Sequence, residues 1–340
     1  MKKKIFAVTM ILALVFTFCA CDSQNGKQTT RVWKFAHSGF GGDPLYAYGE
    51  FLKTAIEEEF DDVILEIHPS EELGNDDERF ELAQSGGVEI AMIASCFVGN
   101  TVPEAEVFGL SYMIPHDEEA ANKILSDGKA INKLNEKMHD LGVTVMDWFY
   151  EDWSCWSCNE PIRKLEDMKG KKIRCMSTSM DIANLKGTGA IPTPITFSEV
   201  YSALQLGTVQ GQGNPLATMV SKKFYEVQDY VVLSYHENVV DGMVCNNTFY
   251  DSLTADEQIR LQSCFKKANE QASAVRNQMS EDALQVMKDA GLEIIELSDE
   301  EMEKFKATSA YAQGEFIKAA GEPGKIILDL LLEDIETYTK

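Results

Sequence analysis

Histidine is scarce in this chain. The five that occur are scattered, at positions 37, 68, 116, 139 and 236. A structural or catalytic zinc site draws on clustered histidines or on paired cysteine doublets, and neither pattern is present. Positive charge is also short, with 31 Lys and Arg against 55 Asp and Glu and a net charge of -24. That field repels phosphate backbones and anionic lipid surfaces, which argues against nucleic acid or an anionic membrane as a partner. Beyond the first twenty residues no apolar run reaches the roughly 20 residues needed to cross a bilayer. No phosphate-cradling glycine loop, no nucleophile–base arrangement and no cofactor motif is found.

The chain begins with a targeting segment. Lys2, Lys3 and Lys4 precede the apolar run 5–20, the layout of a secretory signal peptide over residues 1–20. Cys21, directly after Ala20, resembles the lipid-attachment cysteine of bacterial lipoproteins. The departure is Phe18-Cys19, where such signals carry Leu and a small residue. Residues 21–30 are polar and read as a lipidated tether, so the protein is expected to be exported, held on the outer face of the cytoplasmic membrane or periplasmic. The remaining length, about 310 residues, suits two domains.

Six cysteines remain, at 96, 155, 158, 175, 245 and 264. They are too sparse for a disulfide-built scaffold. Cys155 and Cys158 have the C-x-x-C spacing, which raises a redox or metal role. Pro161 follows closely, where a redox pair would open a helix, and a structural role, reduced or disulfide-bonded, is the expectation.

Periodicity sets out an α/β chain. Val32–His37, Val63–His68 and Val88–Ala94 read as strands. Between them Leu45–Phe60 and Asn75–Ser85 read as helices, and the order implies a doubly wound sheet. The loop 95–100 falls at its ligand-facing edge. A helix lies within Asn122–Leu141 and a strand over Val143–Phe149. Lys172–Cys175 is a strand carrying Arg174. Thr196–Leu206 is a helix with Thr196 and Glu199 at capping-box spacing and Gly207 closing it. Thr254 and Glu257 open a long helix towards Met287, Ser298 and Glu301 cap another, and Ile326–Tyr338 is the last. Arg174 and Asn214 both fall near the carboxyl ends of strands, where parallel sheets bind ligands. An arginine there can grip a carboxylate through two parallel hydrogen bonds, or can pair with a nearby acid at the surface.

The run Lys-Ile-Arg174, Gly189-Ala-x-Pro192-Thr-Pro194, Phe197-Ser-Glu-Val-Tyr201 and Gly211-Gln-x-Asn214-Pro215, with Lys223 to Gln228 beyond it, resembles the solute-binding subunit of tripartite ATP-independent periplasmic (TRAP) transporters, a C4-dicarboxylate-receptor-like family. The likeness covers nearly all of the mature chain in the family's order. It implies a two-domain periplasmic-binding-protein-like α/β fold with a cleft between lobes and a long helix spanning both. The expected lobes are 31–150 plus 240–279, and 151–239 plus 280–340. It implies a receptor and not an enzyme, with no cofactor and no metal. The partners would be a small organic acid and the TRAP membrane subunits. Arg174 would clamp the ligand carboxylate, Asn214 orient it and Phe197 stack on it, with His236 at the cleft rim. By pattern alone Phe197 reads as a core residue and His236 as a structural histidine.

Three positions depart from the family. Trp153 stands where many members carry a second arginine, Gly213 where many carry glutamate, and Gln210 where an acid is usual. One carboxylate at Arg174 and an apolar or aromatic ligand body against Trp153 follow from that change, with interdomain packing the other reading of Trp153. Two other functions fit less of the pattern: the receptor of an ATP-driven importer, and an exported thiol oxidoreductase using Cys155 and Cys158. If Cys21 is the anchored terminus, mass spectrometry of the mature protein should find a thioether-linked diacylglycerol there. An unmodified N-terminus contradicts it.

Overall fold

A computed structural model describes residues 29–70, 72–99 and 101–340. The leader, Cys21 and most of the 21–30 tether lie outside the described residues. The strands are β1 (Arg31–Ala36), β2 (Val63–His68), β3 (Ile90–Ala94), β4 (Val143–Cys158), β5 (Lys172–Cys175), β6 (Ile191–Pro194), β7 (Gly211–Asn214), β8 (Tyr230–Asn246) and β9 (Glu293–Glu296). They form one open sheet in the order β2-β1-β3-β8-β4-β7-β5-β6, with β9 on β8.

β4 and β8 are antiparallel, 16 and 17 residues long, and run through both halves of the sheet. The strand expected at Val143–Phe149 thus continues to Cys158, and the C-x-x-C pair lies inside it. Their ladder slips at Val145/Asp147, Tyr150/Trp153 and Ser154/Trp156. Such bulges bend a strand and raise its twist, so one ladder can serve two differently oriented lobes. Opposite the last slip Tyr235 has a φ of 44°, a left-handed conformation that a tyrosine rarely takes.

In the first lobe β1, β2 and β3 pair in parallel, as the alternating strand and helix pattern predicts. In the second, β5 pairs in parallel with β6 and β7. A helix of 35 residues, Ala255–Asp289, joins them. At 1.5 Å per residue it is about 50 Å long. Its capping box at Thr254 and Glu257 forms as expected. Leu261, Phe265, Ala268 and Ala272 pack into the first lobe's core, whereas Ala283 and Met287 pack into the second's. Where it crosses β4, the fully buried Arg276 donates from Nη2 to Tyr150 Oη at 2.7 Å and to Glu118 at 2.5 Å. Those bonds offset the several kcal/mol of desolvating a guanidinium.

Several local expectations change. Asn122–Leu141 holds parts of two helices, Glu118–Asp127 and Lys129–Asp140, broken at Gly128. A Cβ on Gly128 would stand 2.3 Å from Ile124 O and 2.8 Å from Asp334 Oδ2, so only glycine fits. Residues 95–98, read as loop, form a helical turn. Thr196 makes no side-chain cap: Glu199 N bonds Thr196 O instead, and the 3₁₀ turn Phe197–Glu199 leads into Val200–Gln205. The last helix starts at Ser309 rather than Ile326 and kinks at Gly321. Beyond the kink Ile327, Leu328 and Leu331 pack on first-lobe helices, and Asp334 accepts from Ala130 N at 3.0 Å. The chain after 321 thus packs against the helices Glu118–Asp127 and Lys129–Asp140. Among the described residues no helix is long and apolar enough to cross a membrane.

Asp147, at the first bulge, accepts from Tyr48 Oη at 2.7 Å and Asn269 Nδ2 at 2.8 Å, tying β4 to two helices. Burial pushes its pKa up to about 7. The folded state then holds the proton more tightly than the unfolded chain, whose aspartate titrates near ~4. This contribution is complete below that value and is lost as pH rises from about 4 to about 7. Urea unfolding of Asp147→Asn across this range should give a flatter pH–stability curve than the parent; an unchanged slope contradicts it.

Candidate functional site

The loops at the ends of β1, β3, β5 and β7 meet over the middle of β4 and β8. After β1 the chain turns through Gly39–Gly42 to Asp43, which caps the helix Pro44–Glu59. Asp43 Oδ1 accepts from Tyr46 N at 2.8 Å and Oδ2 from Phe40 N at 2.7 Å. A cavity of about 190 Å³ lies between these first-lobe groups and Arg174, Phe197 and Asn214 of the second. Glu151 of β4 and Asp241 of β8 form part of its lining. A narrower recess of about 40 Å³ is lined by Arg174 together with Trp156, Asp181, His236 and Glu237.

Arg174 is the third residue of β5 and only 6 % exposed. Its Nε donates to Ile195 O at 3.0 Å, which fixes the plane of the guanidinium. Among the described residues neither Nη has a protein acceptor and no carboxylate forms an ion pair with it. Burial pulls its pKa below the ordinary arginine value, and the charges of Asp181 and Glu237 act against that shift. It stays a cation. The ring of Phe197 lies 5.7 Å from the guanidinium carbon. That ring also meets Phe40 of the first lobe at 5.9 Å. Phe197 is half-buried rather than in a core, because it follows an edge strand and faces the cavity.

Asn214 ends β7. Its Nδ2 donates to Gln212, whose Nε2 donates to Ser157 Oγ at 2.8 Å, and Ser157 Oγ in turn donates to Gln228 at 3.1 Å. This chain holds the Asn214 amide beside Arg174, both lining the two cavities.

Trp153 does not line either cavity. It packs against His116 at 4.5 Å and Tyr150 at 5.2 Å, as part of a buried apolar cluster. The indole beside Arg174 is Trp156. The bulge between Ser154 and Trp156 shifts the pairing by three residues, and a simple strand count does not anticipate it. His236 stacks on Trp156 at 4.3 Å, and its Nδ1 is 2.8 Å from Ser234 Oγ. Burial lowers its pKa to about 3, so the ring is neutral. Gly213 leaves room for it: a Cβ there would meet His236 Nε2 at 2.9 Å.

Sequence reasoning did not single out Phe40, Asp43, Asp76, Thr218 or Asp241. The available signals were Asp43 as a cap after paired glycines and Asp241 as an acid within the apolar strand Val239–Val244.

The six described cysteines are free and buried. Burial raises the thiols of Cys155 and Cys158 to about 12, away from the lowered pKa of a reactive thiol. Iodoacetamide should therefore leave both unmodified in the native protein and label them after denaturation. Rapid native labelling of either would contradict this burial.

Residues 35–319 match the family model described as bacterial extracellular solute-binding protein, family 7. The chain is 29% identical over 307 residues to the ectoine-binding periplasmic protein TeaA of Halomonas elongata, covering 89% of this chain and 90% of that one. The solved structure of the ectoine-binding protein of the TeaABC TRAP transporter superposes with a TM-score of 0.85 at 28% identity, over 90% of this chain and 100% of the other. The C4-dicarboxylate-binding periplasmic protein DctP of Rhodobacter capsulatus is 34% identical over 241 residues, 70% of this chain and 72% of its own. A TRAP solute-binding protein from Desulfovibrio salexigens with bound orotic acid also gives a TM-score of 0.85, at 26% identity, over 90% and 99%.

Proposed function

This chain belongs to family 7 of the bacterial extracellular solute-binding proteins, and from that premise we propose that it captures a small organic acid through Arg174 and delivers it to the membrane subunits of a TRAP transporter. The observation that carries the reading is the buried guanidinium of Arg174, with both Nη atoms unpartnered at a cavity between two lobes. A ligand carboxylate there would complete a bidentate pair, the strongest of the common charge-assisted hydrogen bonds. Asn214 would orient the second polar group, and Phe197 would cover the ligand while touching Phe40 across the cleft. Trp156 and His236, rather than Trp153, would form the inner wall, and Trp153 would serve the seam between lobes.

The named ligands of the relatives, ectoine, C4-dicarboxylates and orotic acid, all carry a carboxylate. Closure would be a hinge motion about the bulged middle of β4 and β8 and the long helix. The lobes would be residues 31–150 with 240–279, and 151–239 with 280–320, the tail after the kink riding on the first. No catalytic step is required. The buried, raised-pKa thiols weigh against a thiol oxidoreductase, and the family match weighs against the receptor of an ATP-driven importer. Cys21 would carry the lipid that holds the receptor near its permease.

Isothermal calorimetry of Arg174→Ala with a carboxylate that binds the parent tests the clamp. Removing one partner of a desolvated charge pair is worth about 2–5 kcal/mol. The dissociation constant should rise roughly thirty-fold or more. Unchanged affinity would remove Arg174 from the site.

A further inference from the structure

We infer that the ligand is a zwitterion, its carboxylate on Arg174 and a cationic N–H group between Glu151 and Asp241. This rests on the carboxylate reading of Arg174 and specifies the other end of the molecule. The cavity that holds one guanidinium also holds Asp43, Asp76, Glu151 and Asp241. Two of these acids are accounted for by the protein. Asp76 pairs with the buried Arg79 at 2.5 Å. Asp43 accepts two backbone N–H groups and feels the charge of Lys222.

The other two acids are not. Glu151 accepts one hydrogen bond, from Thr218 Oγ1 at 3.1 Å. Asp241 is 1 % exposed, and its Oδ2 is buried without any hydrogen-bond partner. Among the described residues neither forms an ion pair, although Arg79 lies close enough to act on Asp241 at longer range. They come from neighbouring positions of paired strands, since Asp241 faces Phe149 in the β4–β8 ladder. An unsatisfied buried carboxylate oxygen is costly, and burial together with mutual repulsion pushes both carboxyls well above their ordinary range until an opposing charge arrives.

A second ligand carboxylate would stand against these acids and add to the repulsion. A neutral body would leave Asp241 Oδ2 unpaired. A protonated amine or an amidinium supplies both the opposing charge and N–H donors. Among the described residues no three acids or other ligating groups converge to hold a metal ion. A cation carried on the ligand itself would meet both acids within this cavity of about 190 Å³, which suits a small molecule.

The test uses the mature protein and pairs of probes of matched length: γ-aminobutyrate against succinate, and δ-aminovalerate against glutarate, with L-proline and L-pipecolate as cyclic zwitterions. Thermal shift and calorimetry should find at least one zwitterion bound roughly tenfold or more tightly than any dicarboxylate. Its affinity should fall on Asp241→Asn and on Glu151→Gln, and vanish on Arg174→Ala. The double neutral variant should take dicarboxylates better than the parent, a gain that misfolding cannot produce. A parent protein that prefers succinate or glutarate, or binds no zwitterion of the panel, overturns the inference. If that dicarboxylate is lost on Arg174→Ala, the carboxylate clamp stands while the zwitterion falls. Zwitterion binding indifferent to Arg174→Ala sinks both.

Discussion

A guanidinium taken out of water without a carboxylate beside it is the constraint around which this molecule is arranged. Burying such a charge is worth several kcal/mol against folding, and it is tolerated only with hydrogen bonds and compensating charge. Arg174 has one hydrogen bond, to Ile195 O, and the more distant charges of Asp181 and Glu237. Four N–H donors are left over, on the two Nη atoms that can grip a carboxylate. On the proposed reading, that incomplete compensation makes the site receptive, and an arriving acid would supply the missing partner.

The rest of the chain holds that cation at an opening. β5 carries it to the end of a short parallel strand, flanked by β6 and β7. β4 and β8 then extend the sheet into a second body, and their bulges set the angle between the two. The 35-residue helix contributes to both cores, and Arg276 fastens it to β4 at the crossing. A hinge motion of one lobe would pass through these three elements, which lie behind the cavity and leave its mouth free.

Much of this was legible in residues. The capping box at Thr254 and Glu257, the strand Lys172–Cys175 and the strand–helix succession from Val32 to Ala94 follow from local chemistry, and the structure agrees. Arg174 and Asn214 could be placed together because strand ends in a parallel sheet converge. Less was legible where long-range pairing decides. The extra residues 233–236 of β8 shift the pairing beside Trp156, which lines the recess, whereas Trp153 packs into an apolar core, and no local pattern announces that slip. Thr196 had cap spacing, yet the backbone satisfied the same group. The tail beyond Gly321 lays its apolar face on the helices 118–140, a match invisible to periodicity. Asp241 drew no notice in the sequence; the pairing of β8 with β4 is what brings it to the cavity.

The central claim is most directly tested by a crystal structure of the protein with its tightest-binding acid. The account predicts two oxygens of one ligand carboxylate at about 2.7–2.9 Å from the two Nη atoms of Arg174. A bound acid held elsewhere in the cleft, with both Nη atoms still lacking an acceptor, would contradict it.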